Sequence, residues 1–310
     1  MISNTVKSHL ALLSVNIIYG ANYLVAKGLM PHKIEASALV FLRIGGAGLL
    51  FIVLKTFIKE TVAKRDIARL ALCGFLGVAA NQFFSMNGLS LTSPVDAAII
   101  VTAMPIFTVI MSYFILKEPL TISRILGICV GGGGAVILIY LGKSGTGTGS
   151  ILGNFFIFIN ALVFSLYLVL VKPIMSKYKP ITVIGWTFLF GFLFMLPFCF
   201  SSLMRTDFTS FAPTNWTALF YVVLGPTFLA YLLNMFALKH VKPTVSSSYI
   251  YVQPAVAMIL VAIVSYMIPD SLYKGDITAS KLLCCGLIII GVYLISSNRS
   301  FGKQKKTSIN

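Results

Sequence analysis

The sequence predicts an all-α integral membrane protein with ten transmembrane helices, arranged as an inverted repeat of five and five helices. Three observations lead to this prediction: the composition, the number of long apolar runs, and the recurrence of sequence blocks in the second half. Of the 310 residues, 58% are hydrophobic and only 10% are charged, whereas soluble domains are about half apolar and a quarter charged. A chain of this composition is expected in a lipid bilayer.

Ten apolar runs are long enough to cross a bilayer, for which about 20 mainly apolar residues are needed. The runs cover approximately residues 8–27, 35–58, 66–89, 94–116, 121–141, 151–171, 181–204, 213–238, 244–267 and 278–298. Short connectors separate them, and the first run lacks the cleavage site of a secretory signal. We therefore expect ten crossings of the membrane.

Lysine and arginine residues are distributed unevenly between the connectors. If the N-terminus is cytoplasmic, the cytoplasmic segments hold 17 of these residues and the opposite segments hold 6. Because cytoplasmic loops carry an excess of Lys and Arg, both termini are predicted to be cytoplasmic. The net charge of +16 arises from these segments, and the chain has no basic helix face or aromatic-basic motif, so no nucleic-acid partner is expected.

Three blocks of the first half recur in the same order in the second half. A pair of prolines, Pro94 and Pro105, recurs 149 residues later as Pro243 and Pro254. The other matches are Asn16, Tyr23, Leu24 and Val25 with Asn160, Tyr167, Leu168 and Val169, and Gly127 and Gly132 with Gly286 and Gly291. Each half has five spans, an odd number, so equivalent helices must run in opposite directions.

The repeat divides the chain into four segments. Residues 1–142 are the first five-helix repeat, 143–150 the linker, 151–298 the second repeat, and 299–310 a basic cytoplasmic tail. The linker is rich in Gly, Ser and Thr, a composition typical of flexible connections.

A proline in each half lies near the middle of an apolar run. Such a proline removes one backbone donor and displaces the carbonyl four residues earlier, so Pro105 and Pro254 are expected to leave the carbonyls of Val101 and Ile250 free. In hydrocarbon, a free carbonyl needs a hydrogen-bond donor from the protein, from water or from a ligand. Two interrupted helices at corresponding positions are typical of a transporter's binding site.

Polar side chains in these and neighbouring spans are candidates for a substrate pathway. Asn16, Tyr19 and Tyr23 follow helical spacing and share one face of the first helix, which should face the bundle interior because polar groups are costly in lipid. The other candidates are Gln82, Thr102, Asn160, Tyr167, Tyr231, Asn234, Tyr249, Tyr251 and Gln253. Two interpretations stay open: these groups line a cavity, or they form interhelical hydrogen bonds.

Arg43 is the basic residue that lies well inside a predicted span. An arginine at this depth needs a partner, because a charged side chain is costly in hydrocarbon. Asp96, at the start of the fourth span, is within reach of the long side chain. We expect either a fixed Arg43–Asp96 ion pair or an Arg43 that binds an anion or carboxylate.

No catalytic residue, cofactor or metal ion is predicted. The five cysteines lie in apolar runs without a CxxC pair, and the three histidines lie at helix ends on different segments, so neither a metal site nor a catalytic cluster is indicated. The Gly-x3-Gly of Gly127 and Gly131 favours internal packing of the fifth helix but leaves a homodimer seam open. The chain is expected to be a monomer or a homodimer.

Several short motifs together resemble the EamA-type, ten-helix branch of the drug/metabolite transporter superfamily. They are the Gly-x-Asn of Gly20 and Asn22, Arg43, the paired prolines of both halves, the Glu-Pro-Leu-Thr of residues 118–121, and the Gly-rich fifth and tenth helices. Two positions depart from that family: Tyr19 stands where a tryptophan is usual, and the second half has no arginine that matches Arg43.

The resemblance implies a transporter that exports small metabolites, amino acids or related amphipathic compounds, by alternating access. Its partners would be a small-molecule substrate and the lipid bilayer. Short loops and the lack of a targeting segment favour a bacterial inner membrane. The alternative is an integral membrane protein without transport activity, either a scaffold or a membrane enzyme.

Overall fold

The computed structural model describes residues 4–117, 121–141, 150–268, 273 and 275–296, and these residues form a helical bundle without a β-strand. The predicted linker, except for Ser150, and the predicted basic tail lie outside the described residues. The described helices are α1 (Asn4–Leu29), α2 (Ala36–Thr56), α3 (Lys64–Leu91), α4 (Pro94–Leu116), α5 (Ile122–Leu141), α6 (Ile151–Met175), α7 (Pro180–Met204), α8 (Pro213–His240), α9 (Pro243–Met267) and α10 (Ala279–Ser296).

Eight of these helices, all except α5 and α10, are long and apolar enough to cross a membrane, when only the described residues are considered. The apolar parts of α5 and α10 are shorter, Ile125–Ile137 and Ala279–Gly291. The all-α membrane architecture is therefore confirmed, whereas ten crossings and the inverted repeat stay predictions.

Prolines and serines determine where several helices begin. Four helices have proline in their first turn: Pro94, Pro180, Pro213 and Pro243. At this position the missing N–H has no partner within the helix. Ser93 also caps α4, since its Oγ accepts a hydrogen bond of 3.0 Å from the N–H of Asp96.

Four helices change their winding part way along. α4 contains a 3₁₀ segment at Val101–Ala103 and α9 contains one at Tyr249–Tyr251. α3 and α8 contain π-helical segments at Phe75–Ala80 and Leu224–Leu229. Within the long helices that the structure describes, each kind of irregularity therefore occurs once in each half of the chain.

The two predicted proline interruptions are present, but the predicted free carbonyls are not. The N–H of Met104 donates to the carbonyl of Val101, and the N–H of Val252 donates to the carbonyl of Ile250. The tighter 3₁₀ winding brings a nearer donor to each carbonyl and replaces the one that proline removes. Each of these two carbonyl oxygens therefore accepts a hydrogen bond within the chain.

Contacts at one end of the bundle show which helices finish and begin there. Lys27 Nζ, near the end of α1, donates to the carbonyl of Leu89 at 3.0 Å, near the end of α3. Lys281, near the start of α10, lies 2.8 Å from Asp96 at the start of α4. We call this the Lys281 end.

The opposite end, which we call the Lys177 end, has matching contacts. Lys172 Nζ, near the end of α6, donates to the carbonyl of Val241 at 2.7 Å, just after α8. Lys177, which follows α6, donates to Asp66 at the start of α3, at 3.0 Å. Successive helices of the bundle thus alternate in direction.

The helices pack in a regular pattern. α1 packs against α8 and α9, α6 packs against α3 and α4, α2 packs against α7, and α5 packs against α10. The α5–α10 contact is close because both helices have glycine there: a Cβ at Gly291 would lie 2.5 Å from the Cα of Gly131. The Gly-rich fifth helix therefore packs within the chain, as predicted.

Candidate functional site

A cavity lies between seven helices, namely α1, α2, α3, α4, α6, α8 and α9. It holds about 680 Å³ of empty space, including space open to solvent. Nine of the residues predicted from the sequence line it: Asn16, Tyr19, Tyr23, Arg43, Gln82, Asn160, Tyr231, Asn234 and Gln253. Most of the predicted polar positions therefore meet in one place.

A hydrogen-bond chain joins α1 and α9 along one wall of the cavity. Tyr23 Oη donates to Gln253 Oε1 at 2.8 Å, and Gln253 Nε2 donates to Asn16 Oδ1 at 2.7 Å. Asn16 Nδ2 in turn donates to the carbonyl of Leu12 at 2.7 Å. These polar groups both bond between helices and line the cavity, so the two interpretations left open by the sequence are compatible here.

A second network joins α3, α6 and α8. Asn81 Nδ2 donates to Tyr231 Oη at 2.7 Å, and Asn160 Nδ2 donates to Asn81 Oδ1 at 2.6 Å. Tyr231 Oη donates to the carbonyl of Gly77 at 2.8 Å. Gly77 lies in the π segment of α3, where irregular winding gives a side-chain donor access to the backbone. The irregular segment thus helps to position a cavity residue.

Arg43, on α2, is the one charged residue in the cavity lining, as far as the described residues go, and it is only 2% exposed. Its Nε donates to Thr227 Oγ1 at 3.0 Å, and its Nη1 donates to Met86 Sδ at 3.0 Å. Both partners are uncharged. No carboxylate in the described part of the chain lies within ion-pair distance of Arg43.

The predicted Arg43–Asp96 ion pair is wrong. Asp96 lies 2.8 Å from Lys281 Nζ, which also donates to Asp276 at 2.6 Å. All three side chains are largely buried at the Lys281 end. Arg43 lies seven residues inside α2, roughly 10 Å along the helix axis from its first residue. Lys281, at the same end of the bundle as Asp96, therefore pairs with this carboxylate.

The remaining predicted residues lie outside the cavity lining: Asp96, Thr102, Pro105, Tyr167, Tyr249, Tyr251 and Pro254. The hydroxyls of three of them are used elsewhere. Thr102 donates to the carbonyl of Ile99 at 2.5 Å, and Tyr167 donates to Met235 Sδ at 3.3 Å. Tyr249 hydrogen-bonds with the ring of His9 at 2.7 Å.

Five further polar residues line the cavity: Asn22, Asn81, Ser85, Ser246 and Ser247. Four of them lie in polar stretches of the third and ninth spans that the sequence indicates as ligand or interhelical contacts, whereas Asn22 was not a predicted candidate. A signal existed for Asn22, which follows Tyr19 by three residues and therefore shares its helix face. Ser246 lies on α9 before the 3₁₀ segment and donates to Asn234 Oδ1 at 3.0 Å. The apolar part of the lining is Val15, Val101, Met104, Phe164, Leu168 and Ile250.

The lining has the chemistry of a binding site. It offers amide, hydroxyl and phenol groups and one guanidinium, and its described residues include no Asp, Glu, His, Lys or Cys. Across the described residues, no group of three or more His, Cys, Asp or Glu side chains could hold a metal ion. The arrangement can hydrogen-bond a polar compound and attract a negative charge.

Comparison with known proteins shows that the chain is similar to transporters over most of its length. The model of the EamA-like transporter family matches residues 6–140 and 151–297. The uncharacterized transporter YetK of Bacillus subtilis is 24% identical over 270 residues, which cover 85% of this chain and 81% of that protein.

Two further similarities extend over most of the chain. A protein of Streptantibioticus cattleyicolor named "Probable terminal-alkyne amino-acid exporter" is 22% identical over 244 residues, which cover 79% of this chain and 77% of that protein. A solved crystal structure of a protein with 16% identity superposes with a TM-score of 0.64 and covers 94% of this chain and 97% of its own. The fold is therefore shared with a known structure.

Proposed function

Because the chain belongs to the EamA-like transporter family, we propose that it moves a small organic metabolite across a membrane through the cavity between its seven lining helices. The family membership and the apolar helices support a multi-pass membrane protein. The relatives described above are named as transporters or exporters. The specific pathway, direction and mechanism below are parts of the proposal.

The observation that carries the proposal is a polar cavity inside an otherwise apolar bundle. Polar and ionisable groups are costly within a membrane and are retained there for substrate and ion pathways. Here seven helices contribute amide, hydroxyl and phenol groups to one cavity, as in ligand sites where a few polar groups orient the bound compound. The lining supports binding of a carried compound, and it favours a carrier over a membrane enzyme.

The mechanism we propose is alternating access by two inverted five-helix repeats, with ten crossings in all. Support comes from helix direction: α1 and α3 finish at the Lys281 end, whereas α6 and α8 finish at the Lys177 end. Lys27 and Lys172 bond carbonyls at the ends of α3 and α8 in the same way. The family model also matches two successive segments. Such repeats allow rocking around a fixed central site.

We place the Lys177 end at the cytoplasm of a bacterial inner membrane, with both termini cytoplasmic, because Lys and Arg are concentrated there. Single cysteines in a background without the five native ones provide the test. Lys59→Cys lies in the loop at the Lys177 end, and Ser210→Cys lies in the loop at the Lys281 end; both residues are exposed. Labelling of both from the same membrane side would contradict the placement.

The substrate class we propose is small metabolites, amino acids or related amphipathic compounds, moved outward. The mixed polar and apolar lining supports an amphipathic ligand, and one relative is named as an amino-acid exporter. The test is counterflow into liposomes that contain only the purified protein, with labelled amino acids, organic acids, amines, nucleosides and sugars. Saturable counterflow of at least one class, absent from protein-free liposomes, is expected. Its absence across the panel would count against transport.

A further inference from the structure

Arg43 is a buried cation, and none of the described carboxylates pairs with it. The residue is 2% exposed and lines the cavity, and its bonded partners, Thr227 and Met86, are an alcohol and a thioether. Asp96, the partner expected from the sequence, pairs with Lys281 instead. A buried charge without a counter-charge is normally avoided, since neutral groups compensate it only in part.

Arg43 retains donor capacity toward the cavity. Nε and Nη1 are engaged, while Nη2 donates no hydrogen bond within the part of the chain that the structure describes. A guanidinium presents its N–H groups as a planar fork, which matches the two oxygens of a carboxylate. The free side of this fork is a suitable place for a ligand's anionic group.

Tyr19 provides a second donor at the same wall. It lines the cavity from α1 and is close enough to Arg43 for the two groups to interact electrostatically. Unlike Tyr23 and Tyr231, whose hydroxyls are used in the networks above, Tyr19 Oη makes no hydrogen bond to another described residue. The Tyr19 hydroxyl is therefore available to donate a hydrogen bond to a ligand in the cavity.

The described lining has no anionic group that would attract a cation. Its described residues include no carboxylate, so an ammonium group of a ligand would have only neutral acceptors and would be repelled by Arg43. A neutral amide could bond to the amide and hydroxyl groups but would not benefit from the guanidinium. The electrostatics of the cavity therefore discriminate by ligand charge.

We propose that Arg43 and Tyr19 bind the anionic group of the transported compound, a carboxylate or a monoanion of similar size. The cavity then selects organic monoanions over neutral or cationic compounds of the same shape, and it requires no ammonium group on the ligand. This inference rests on the proposed transport function and narrows its substrate class from amino acids and related amphipathic compounds to organic monoanions.

The test is binding to purified protein in nanodiscs with two matched series. One series is 3-phenylpropionate, 3-phenylpropanamide and 3-phenylpropylamine; the other is hexanoate, hexanamide and hexylamine. The wild type is expected to bind each carboxylate roughly tenfold or more tightly than its amide or amine, the effect of one charge-assisted hydrogen bond. The readout is the carboxylate-to-amide affinity ratio, which a general loss of packing would not raise or lower selectively.

Three variants locate the effect. Arg43→Met should remove the preference, and Tyr19→Phe should reduce it by roughly threefold, the effect of one ordinary hydrogen bond. Tyr249→Phe is the matched control: it removes a tyrosine hydroxyl that lies outside the cavity lining and hydrogen-bonds with His9, so the ratio should not change. If Arg43→Met fails to fold, the comparison of Tyr19→Phe with Tyr249→Phe still shows whether the Tyr19 hydroxyl contacts the anion.

Equal binding of carboxylate and amide by the wild type would overturn the proposal, as would a preference that survives Arg43→Met or falls equally in the two tyrosine variants. Binding of none of the six compounds, together with saturable counterflow of a sugar, nucleoside or amine, would also overturn it and leave transport intact. A carboxylate preference without counterflow of any panel compound would support the anion site and contradict the transport function.

Discussion

Replacement of Lys281 by methionine should destabilise the protein strongly, because it removes the cation that lies between two buried carboxylates. Lys281 Nζ lies 2.8 Å from Asp96 Oδ1 and 2.6 Å from Asp276 Oδ1. The side chain of Lys281 is 12% exposed, and those of Asp96 and Asp276 are 2% and 1% exposed. After the substitution, both carboxylates would remain buried without this partner.

The expected loss of stability follows from the burial of the two carboxylates and from one neighbouring charge. Removal of one partner of a buried ion pair destabilises a protein by about 3–5 kcal/mol. Lys27 is close enough to interact with Asp276 and would offset part of its unpaired charge, so we expect the lower end of that range, about 3 kcal/mol. This corresponds to a change of roughly a hundredfold in the unfolding equilibrium constant.

The assay is equilibrium unfolding of purified protein in mixed micelles, with two comparisons. Arg205→Met removes a cation from an ion pair of similar length, 3.1 Å to Glu35, whose side chains are 61% and 53% exposed; it should lower stability by less than about 1 kcal/mol. Combining Lys281→Met with Asp96→Asn and Asp276→Asn should recover most of the lost stability, because no buried charge remains unpaired. A loss with Lys281→Met no larger than with Arg205→Met would refute the reasoning.

Two further predictions concern packing and pH. Gly291→Ala should destabilise the protein by about 1–3 kcal/mol through overpacking, because the new Cβ would lie 2.5 Å from the Cα of Gly131. The control is Gly286→Ala on the same helix, whose new Cβ meets no atom within 4 Å, so this variant should be neutral or slightly stabilising. Equal unfolding midpoints for the two variants would contradict the close helix contact. The hydrogen bond from Arg205 holds the pKa of Glu35 below its ordinary value. The Arg205–Glu35 ion pair therefore makes a small contribution to stability at pH values above the ordinary pKa of Glu35, and this contribution disappears as the pH falls through the lowered pKa. Glu35→Gln should therefore be slightly less stable than the wild type at neutral pH and equally stable at strongly acidic pH; a difference that persists in acid would show that the charge is not its source.

The positions of the helices could be predicted from the sequence because the length of an apolar run and the position of a proline are local signals. The predicted run 94–116 coincides with α4, Pro94–Leu116, and the predicted run 181–204 differs by one residue from α7, Pro180–Met204. The mid-helix interruptions were also predicted, since proline removes a specific backbone donor. The π segments of α3 and α8 were not predicted, because their winding depends on packing against neighbouring helices.

The partners of charged residues were not accessible in this way. Asp96 and Lys281 are far apart in the sequence, and they meet only because the starts of α4 and α10 lie at the same end of the bundle. The length of the arginine side chain alone suggested Arg43 as the partner of Asp96. The packing of α2 instead places the guanidinium against Thr227 and Met86. Long-range pairing of this kind needs the arrangement of the helices.

The repeat was a useful but incomplete guide to the candidate site. It correctly grouped Asn16 with Asn160, which both line the cavity. It also matched Tyr23 with Tyr167, yet Tyr167 is fully buried and donates to Met235 rather than facing the cavity. Equivalent positions in two halves have different neighbours, so a shared residue type does not imply a shared role.

The central claim is that compounds cross the membrane through the cavity lined by the seven helices, and chemical obstruction of that cavity tests it most directly. Ser85 lines the cavity, is partly exposed, and can be replaced by cysteine in a background without native cysteines. Ser210→Cys, in an exposed loop, is the matched control. Counterflow should be saturable in both variants, and modification with a bulky maleimide should abolish it in Ser85→Cys alone; flux that survives full modification of Ser85→Cys would contradict the account.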